Sequence, residues 1–203
     1  MATTTTELDT ELSAVNSILG AIGQAPITTL DYTNPEISFI YNILSEVNKD
    51  VQNEGWHFNR EYHKEFPPNT TTKHITIGSQ YLRADLSDSN NRNIDVVIRE
   101  NKLYDLVNHT NEFTETLYLD VTEMFAFEKI PSIFQRYIIY RAAVRAATQL
   151  VSNPQLVQLL QVQEAQARAT CMEYECDQGD HSYFGWPHES SYRSYQPYDV
   201  LRR

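Results

Sequence analysis

The side chains able to do chemistry come first. Histidines occur at His57, His63, His74, His109, His181 and His188. No His-Glu-x-x-His or comparable pair sets two of them on one helical face, as a zinc site would require. If "WHFNREYH" ran as a regular strand, His57 and His63 would share a face, but no third ligand accompanies them. The expected metal set is therefore empty. The signatures of hydrolase elbows, phosphate loops and dinucleotide cradles are missing from the sequence. Carboxylates offer the sharpest enzymatic alternative, since Glu112 with Glu115, or Glu173 with Glu175 and Asp177, supply the residue types of a glycan hydrolase. Such an enzyme needs two carboxyl groups at about 5 Å, or farther apart if inverting, with one acid raised by an apolar pocket. In an acidic chain these clusters are ordinarily solvated faces, so the expected catalytic set is also empty.

Cys171 and Cys176 in "CMEYEC" match neither a redox Cys-x-x-Cys nor a zinc knuckle, and reduced thiols are expected. The sequons at Asn69 and Asn108 carry no weight without export. Arg136, Arg141 and Arg145 line "RYIIYRAAVRAA", with Arg141 and Arg145 one helical turn apart. They are candidates for ion pairs to a neighbouring subunit, because interfaces favour arginine; pairing within the chain is the alternative. Glu173 and Asp177, one turn apart near a helix C-terminus where negative charge is unfavourable, call for an outside basic partner. Near the end, Tyr183, Phe184, Trp186, Tyr192, Tyr195 and Tyr198 sit among Ser, Pro and His. Disordered tails are poor in aromatics, so this stretch reads as an arm that buries its rings, on another surface or back on its own subunit.

The elements that must position these residues follow from composition and period. The chain has 203 residues, 41% of them hydrophobic, which is enough for a real core. A formal net charge of −11 excludes a stand-alone nucleic-acid binder, because phosphate contacts need clustered cations. No run approaches the roughly eighteen apolar residues of a membrane span, and "MATTTTELDT" lacks the positive start and apolar stretch of a signal peptide, so synthesis and folding in a cytoplasm are expected.

A first helix is expected over 7–22, with Thr6 as N-cap and Leu12, Val15, Leu19 and Ile22 on one face, ending at Gly23 and Pro26. "DYTNPE" opens a second, capped by Asn34 with Pro35 at its first position and Ile37, Ile40, Tyr41, Leu44, Val47 and Val51 at helical spacing. From Gly55 the period shifts toward two: "GWHFNREYHKEF", "HITI", "YLRADL", "IDVVIRE", "KLYDLV" and "TLYLDV" read as strands, the last with Leu117, Leu119 and Val121 inward. Helical spacing returns in "IPSIFQRYIIYRAAVRAATQL", breaks at Asn153-Pro154, and resumes to Asp177 through Leu156, Leu159, Leu160, Val162 and Met172. The expected fold is α+β: an antiparallel four-helix bundle in two halves, 1–54 and 131–177, with a mainly antiparallel β domain inserted at 55–130 and an extended C-terminal arm at 178–203.

Several stretches together resemble the tail tubular protein A, or adaptor, family of T7-like short-tailed bacteriophages. They are "ELSAVNSILGAIGQAPITTLD", "NKDVQNEGWHFN", "VVIRENKLYDL", "IPSIFQRYIIYRAA" and "EAQARATCMEYECDQGDHS", in the order expected over nearly the whole chain, while "FPPNTTTKHITIGSQYLRADLSDSNNRN" matches only loosely. The resemblance implies a virion tail protein without enzymatic activity or cofactor. It would form a ring of twelve between portal protein and tail nozzle (tail tubular protein B), prolonging the genome ejection channel, with tail fibres attached near the nozzle. It implies that the bundle makes the ring, that the aromatic arm docks on the portal, and that the inserted sheet faces nozzle and fibres. Leu12, Val15 and Leu19 join the three arginines as subunit-interface candidates, the small residues Ser13, Ala14, Ser17, Gly20 and Ala21 allowing close approach of a neighbour. An acidic wall would let DNA slide through without specific binding. Residues 1–66 hold much of the acidic excess, whereas 131–177 balance Arg136, Arg141, Arg145 and Arg168 against Glu164, Glu173, Glu175 and Asp177. The neutral segment is thus expected in subunit packing. A generic oligomeric scaffold is the remaining alternative.

Overall fold

The computed structural model describes residues 10–87, 93–151 and 153–179. The fold is α+β, with four helices and antiparallel sheets. Contacts divide it into a helical unit, residues 10–54 and 125–177, and a β unit, residues 55–124 together with 178–179. The aromatic arm lies outside the described residues.

In the helical unit, α1 spans Glu11–Ala21, α2 Pro35–Asn53, α3 Ser132–Leu150 and α4 Pro154–Gly179. The N-cap of α1 is Thr10, whose hydroxyl accepts the Ser13 N–H at 3.2 Å, so the described helix opens at Glu11 and the expected Thr6 cap falls outside the described residues. Its C-terminus closes on Gly23 at φ +80°, with Gln24 N–H donating to Leu19 C=O and Gly23 N–H to Gly20 C=O. This pair of hydrogen bonds across a left-handed glycine satisfies carbonyls in the last turn of the helix. Asn16 then holds the exit: its Oδ1 accepts the Ile27 N–H at 2.7 Å and its Nδ2 donates to Ile27 C=O at 2.9 Å. Asn34 caps α2 through the Glu36 N–H, and Asn153 caps α4 through the N–H groups of Gln155 and Leu156. In both, the proline that follows sits where no amide donor is needed.

α3 is the central helix, and α1 and α2 both pack on it. Phe134, Tyr137 and Ile138 fill one side, and Ala142, Ala143, Ala146 and Ala147 are all buried, so two neighbours approach its second half closely. Two fully buried glutamines hold the segment entering α3. Gln52 accepts the Phe125 N–H at 2.7 Å and donates to Phe125 C=O at 2.9 Å, while Gln135 donates to Phe127 C=O at 2.8 Å. α4 runs antiparallel to α3, pairing positions 164, 168, 171 and 174 with 141, 137, 133 and 134. Of its expected apolar positions only Leu160 is buried; Leu159, Val162 and Met172 are 67%, 56% and 46% exposed.

In the β unit, β1 (Arg60–Phe66) and β2 (Tyr81–Leu86) flank β5 (Leu117–Glu123) in an antiparallel sheet, and β3 (Val96–Arg99) pairs with β4 (Lys102–Asp105) as a hairpin. Leu117, Leu119 and Val121 point into a core with Ile75, Ile77, Val96, Leu103 and Phe113. "HITI" is not a strand: Ile75 and Ile77 are buried there, but Thr76 makes only an isolated bridge to Lys102. β1 is bulged, with Tyr62 and His63 opposite Asp120, and His63 at φ 55° is held by its N–H bond to Asp120 and by stacking on Tyr118. His57 lies in a 3-10 turn, so the two histidines do not share a strand face.

Two turns carry the β unit. The hairpin turn Glu100-Asn101 has both residues at positive φ, 51° and 60°, the geometry of a two-residue type I′ loop that Asn-Gly fits best. Asp105 is buried; one carboxylate oxygen accepts the N–H groups of Asp95 and Val107, the other the Asn108 amide. Burial pushes its pKa up, but bonds from Asn108, Val107 and Asp95 outweigh this and hold it below the ordinary 3.8.

Replacing Glu100-Asn101 by Asn-Gly is expected to stabilise the β unit by about 0.5 to 1 kcal/mol in urea unfolding, by relieving left-handed strain. Asp105→Ala should cost about 2 to 3 kcal/mol by leaving buried donors unmet. Because the folded pKa of Asp105 is depressed, its carboxylate contributes stability above the unfolded pKa. That contribution is lost as pH falls through the folded value, so unfolding titrations of Asp105→Ala should show a shallower acid limb than wild type.

Candidate assembly interface

The densest polar cluster of the helical unit fastens α4. Glu54, at the end of α2, accepts from Arg141 Nη1 at 2.9 Å and takes Arg168 through both oxygens, at 3.2 and 3.0 Å. Arg141 and Arg168 also donate to the Tyr137 hydroxyl, at 2.9 and 2.7 Å, and Arg141 Nε lies 4.0 Å from Glu164. One carboxylate and one phenol thus gather guanidinium groups from α3 and α4, with the Tyr137 ring buried below them. Partial burial works against the charge of Arg141, but Glu54 and Tyr137 outweigh it and raise its pKa. For Arg168 the Glu54 bond is the largest influence, Tyr137 the next, and the pKa is again raised. Since the Arg168 side chain is 46% exposed, the forked pair contributes about 1 kcal/mol, no more than a good surface ion pair.

Beside this clasp Cys171 is buried, its Sγ 3.6 Å from Ile133 C=O, and burial pushes its thiol up to about 12. Cys176 is exposed. Tyr174 meets Phe134 edge-on at 5.8 Å.

The interface candidates separate by burial and pairing. Val15 and Leu19 are buried inside the helical unit, where α1 meets α3 and α2, because the apolar stripe of α1 is the one its own unit needs. Leu12 is half-buried. Arg141 is bound to Glu54, and Arg145 to Asp50 at 2.8 Å and Glu46 at 3.6 Å, all within the chain. Arg136 is exposed, makes no ion pair among the described residues, and borders a shallow groove of about 360 Å³ with Ser132, Ile133, Ala167 and Thr170. The six aromatic residues from Tyr183 to Tyr198 lie outside the described residues.

The residues weighed for chemistry fall apart in space. Glu112, Glu115, Glu173 and Asp177 are exposed, without the apolar pocket that raises a catalytic acid. His63 Nδ1 lies 3.1 Å from Ser87 Oγ, but Asp120 accepts from the His63 backbone N–H, so Asp120 does not orient the imidazole as the acid of a triad would. Among the described residues, no group of three His, Cys, Asp or Glu is placed to hold a metal ion. Sequence reasoning missed Glu54 and Tyr137 as the centre of the clasp. Their only signal was that a lone Glu at a helix end and a Tyr among arginines both need partners.

Residues 12–181 match the family model described as "Tail tubular protein". No curated protein matches the sequence.

Arg168→Ala should loosen α4 without unfolding the unit. In a thiol-labelling assay wild-type monomer is expected to react at Cys176 only, whereas the variant should react at Cys171 at least about tenfold faster than wild type, reporting local opening.

Proposed function

We propose, from the premise that this chain belongs to the tail tubular protein family, that it builds the adaptor ring between portal and tail nozzle of a short-tailed phage. The family is structural, and the chain is a component of the phage virion tail. In the proposed assembly twelve copies close a ring that extends the ejection channel. The helices form a four-helix bundle that makes the ring wall, residues 178–203 dock on the portal through their aromatic side chains, and the β unit meets nozzle and tail fibres.

The observation that carries this reading is the family match over residues 12–181. The charge of the chain supports it: at −11, a wall of repeated copies repels phosphate, and DNA passes without being trapped. The polar clusters support it as well, since their hydrogen bonds and ion pairs close upon one another within the helical unit, as parts of a scaffold do. The exposed Glu112 and Glu173 give the glycan-hydrolase alternative no pocket.

Imaging of virions carrying a small tag on this chain tests the reading. Density for the tag is expected in a collar beneath the capsid vertex, between portal and nozzle, and density elsewhere refutes the adaptor role. In mass measurements of purified protein with and without portal, species corresponding to closed rings are expected. Arg136→Glu should weaken ring formation about tenfold or more while leaving the unfolding free energy within about 0.5 kcal/mol of wild type, as expected for an exposed residue.

A further inference from the structure

α4 is apolar on two opposite faces. Ala167, Cys171 and Tyr174 turn toward α3 at intervals of four and three residues, and buried Leu160 lies two turns before them on the same face. On the other side Val162, Ala165, Ala169, Met172 and Cys176 follow one another at intervals of three, four, three and four residues, and all are exposed. Leu159, 67% exposed, flanks this line. Alternating spacings of three and four are those of a seam between two packed helices. Neighbouring surface offers no reason for an uncharged line about 20 Å long on a 26-residue helix at 1.5 Å per residue. The flanks between the two faces are polar, with Gln161, Gln163, Gln166 and Thr170 exposed, so the seam is a narrow stripe that one packed partner would cover. Ala165 and Ala169 at the middle leave room for a second backbone to come near, with Val162 and Met172 as knobs on either side.

The charges of the helical unit indicate what covers the seam. Arg141, Arg145 and Arg168 are neutralised within the chain. Among the described residues of the helical unit, the exposed acids Asp31, Glu36, Glu128, Glu173 and Asp177 and the exposed cations Lys49, Lys129 and Arg136 make no ion pair; Glu173 and Asp177 lie at the C-terminal end of the seam, and the three cations lie on other elements. The unpaired acids at the end of the seam and the unpaired cations on the other elements compensate each other when the same contact repeats from copy to copy. Two seams packed in parallel would instead set Glu173 and Asp177 against their own copies. A ring, moreover, closes only through head-to-tail contacts.

We infer that the outer face of α4, along Val162, Ala165, Ala169, Met172 and Cys176, is the surface by which one copy of this chain docks on a different face of the next. The inference rests on the ring reading above and names the face that makes the ring. α4 then belongs to two packings at once, bound to its own α3 by the Glu54 clasp and to the neighbour by the seam.

The test uses the full chain and the native thiol at the end of the seam. In tails purified from virions, Cys176 is expected to react with iodoacetamide at least about tenfold more slowly than in the free, dilute chain, because seam burial excludes the reagent. Ala169→Glu should fold with wild-type circular dichroism and thermal midpoint, yet raise the concentration needed for assembly about 100-fold, a loss in the range of a central interface residue. Gln163→Glu, exposed on α4 but off the seam, should assemble as wild type. Assembly of Ala169→Glu at wild-type concentration overturns the inference, as does an unchanged Cys176 rate in tails. Protection of Cys176 already in the dilute monomer assigns the seam to the chain's own residues 180–203 and also overturns it. So does an Ala169→Glu chain that forms rings but is not incorporated into tails, which assigns the seam to an unlike tail protein. Failure of the ring reading is distinct: wild-type tails would then contain no closed ring of this chain, whatever the variant does.

Discussion

The helical unit depends on α3 being buried along its length. A helix with partners on several sides must alternate bulk and smallness, and α3 does so in sequence order, with Phe134, Tyr137 and Ile138 early and Ala142, Ala143, Ala146 and Ala147 late. Large side chains in the second half would hold α1 and α2 away and leave voids around Ile18, Ile40 and Val47. The same burial creates an obligation. The Tyr137 hydroxyl, on a ring that is 1% exposed, needs polar partners, and the guanidinium groups of Arg141 and Arg168 supply them. The clasp on α4 is thus a consequence of packing at α3, and Glu54 is placed to balance the charge it gathers.

The β unit solves a different problem with short strands and few large aliphatic residues per strand. Its core is one cluster around Leu103, Leu119, Ile75 and Ile77, and the segments that deliver these residues are fixed by buried or strained polar groups: Asp105 in its web of donors, His63 in its bulge, Glu100-Asn101 in its turn. Positive φ at His63, Glu100 and Asn101 marks places where the chain must reverse or kink to keep the hydrophobic alternation facing one core. Such a unit presents turns and strand edges, whereas the helical unit presents the faces of its helices. The two therefore offer different surfaces to an assembly.

The helix spans were legible because period and caps agree: Asn34-Pro35 and Asn153-Pro154 mark starts, and Gly23 a stop, by chemistry that acts within four residues. The alternation of Leu117, Leu119 and Val121 was legible for the same reason. What stayed hidden was decided at long range. Nothing in the spacing sets Gln52 and Gln135 apart from surface amides, and only the fold bonds them to the backbone of Phe125 and Phe127. "HITI" alternates as a strand does, yet buries its isoleucines without a ladder. The partners of Arg141 and Arg145 lie far away in sequence, on or just beyond α2, where spacing alone could not assign them.

By itself, then, the sequence determined the class of fold, the order and limits of most elements, an acidic character unsuited to holding nucleic acid, and the run of motifs that place the chain among tail tubular proteins. Local propensity, capping and periodicity are properties of neighbours in the chain, and they survive in a one-dimensional reading. Only the tertiary structure decided which face of each helix is spent on its own core. Val15, Leu19 and Leu160 are consumed inside, while Leu159, Val162 and Met172, equally apolar, are left outside. The distinction arises because burial depends on which elements are adjacent in space, and two apolar faces on one helix look alike until one of them has met its partner.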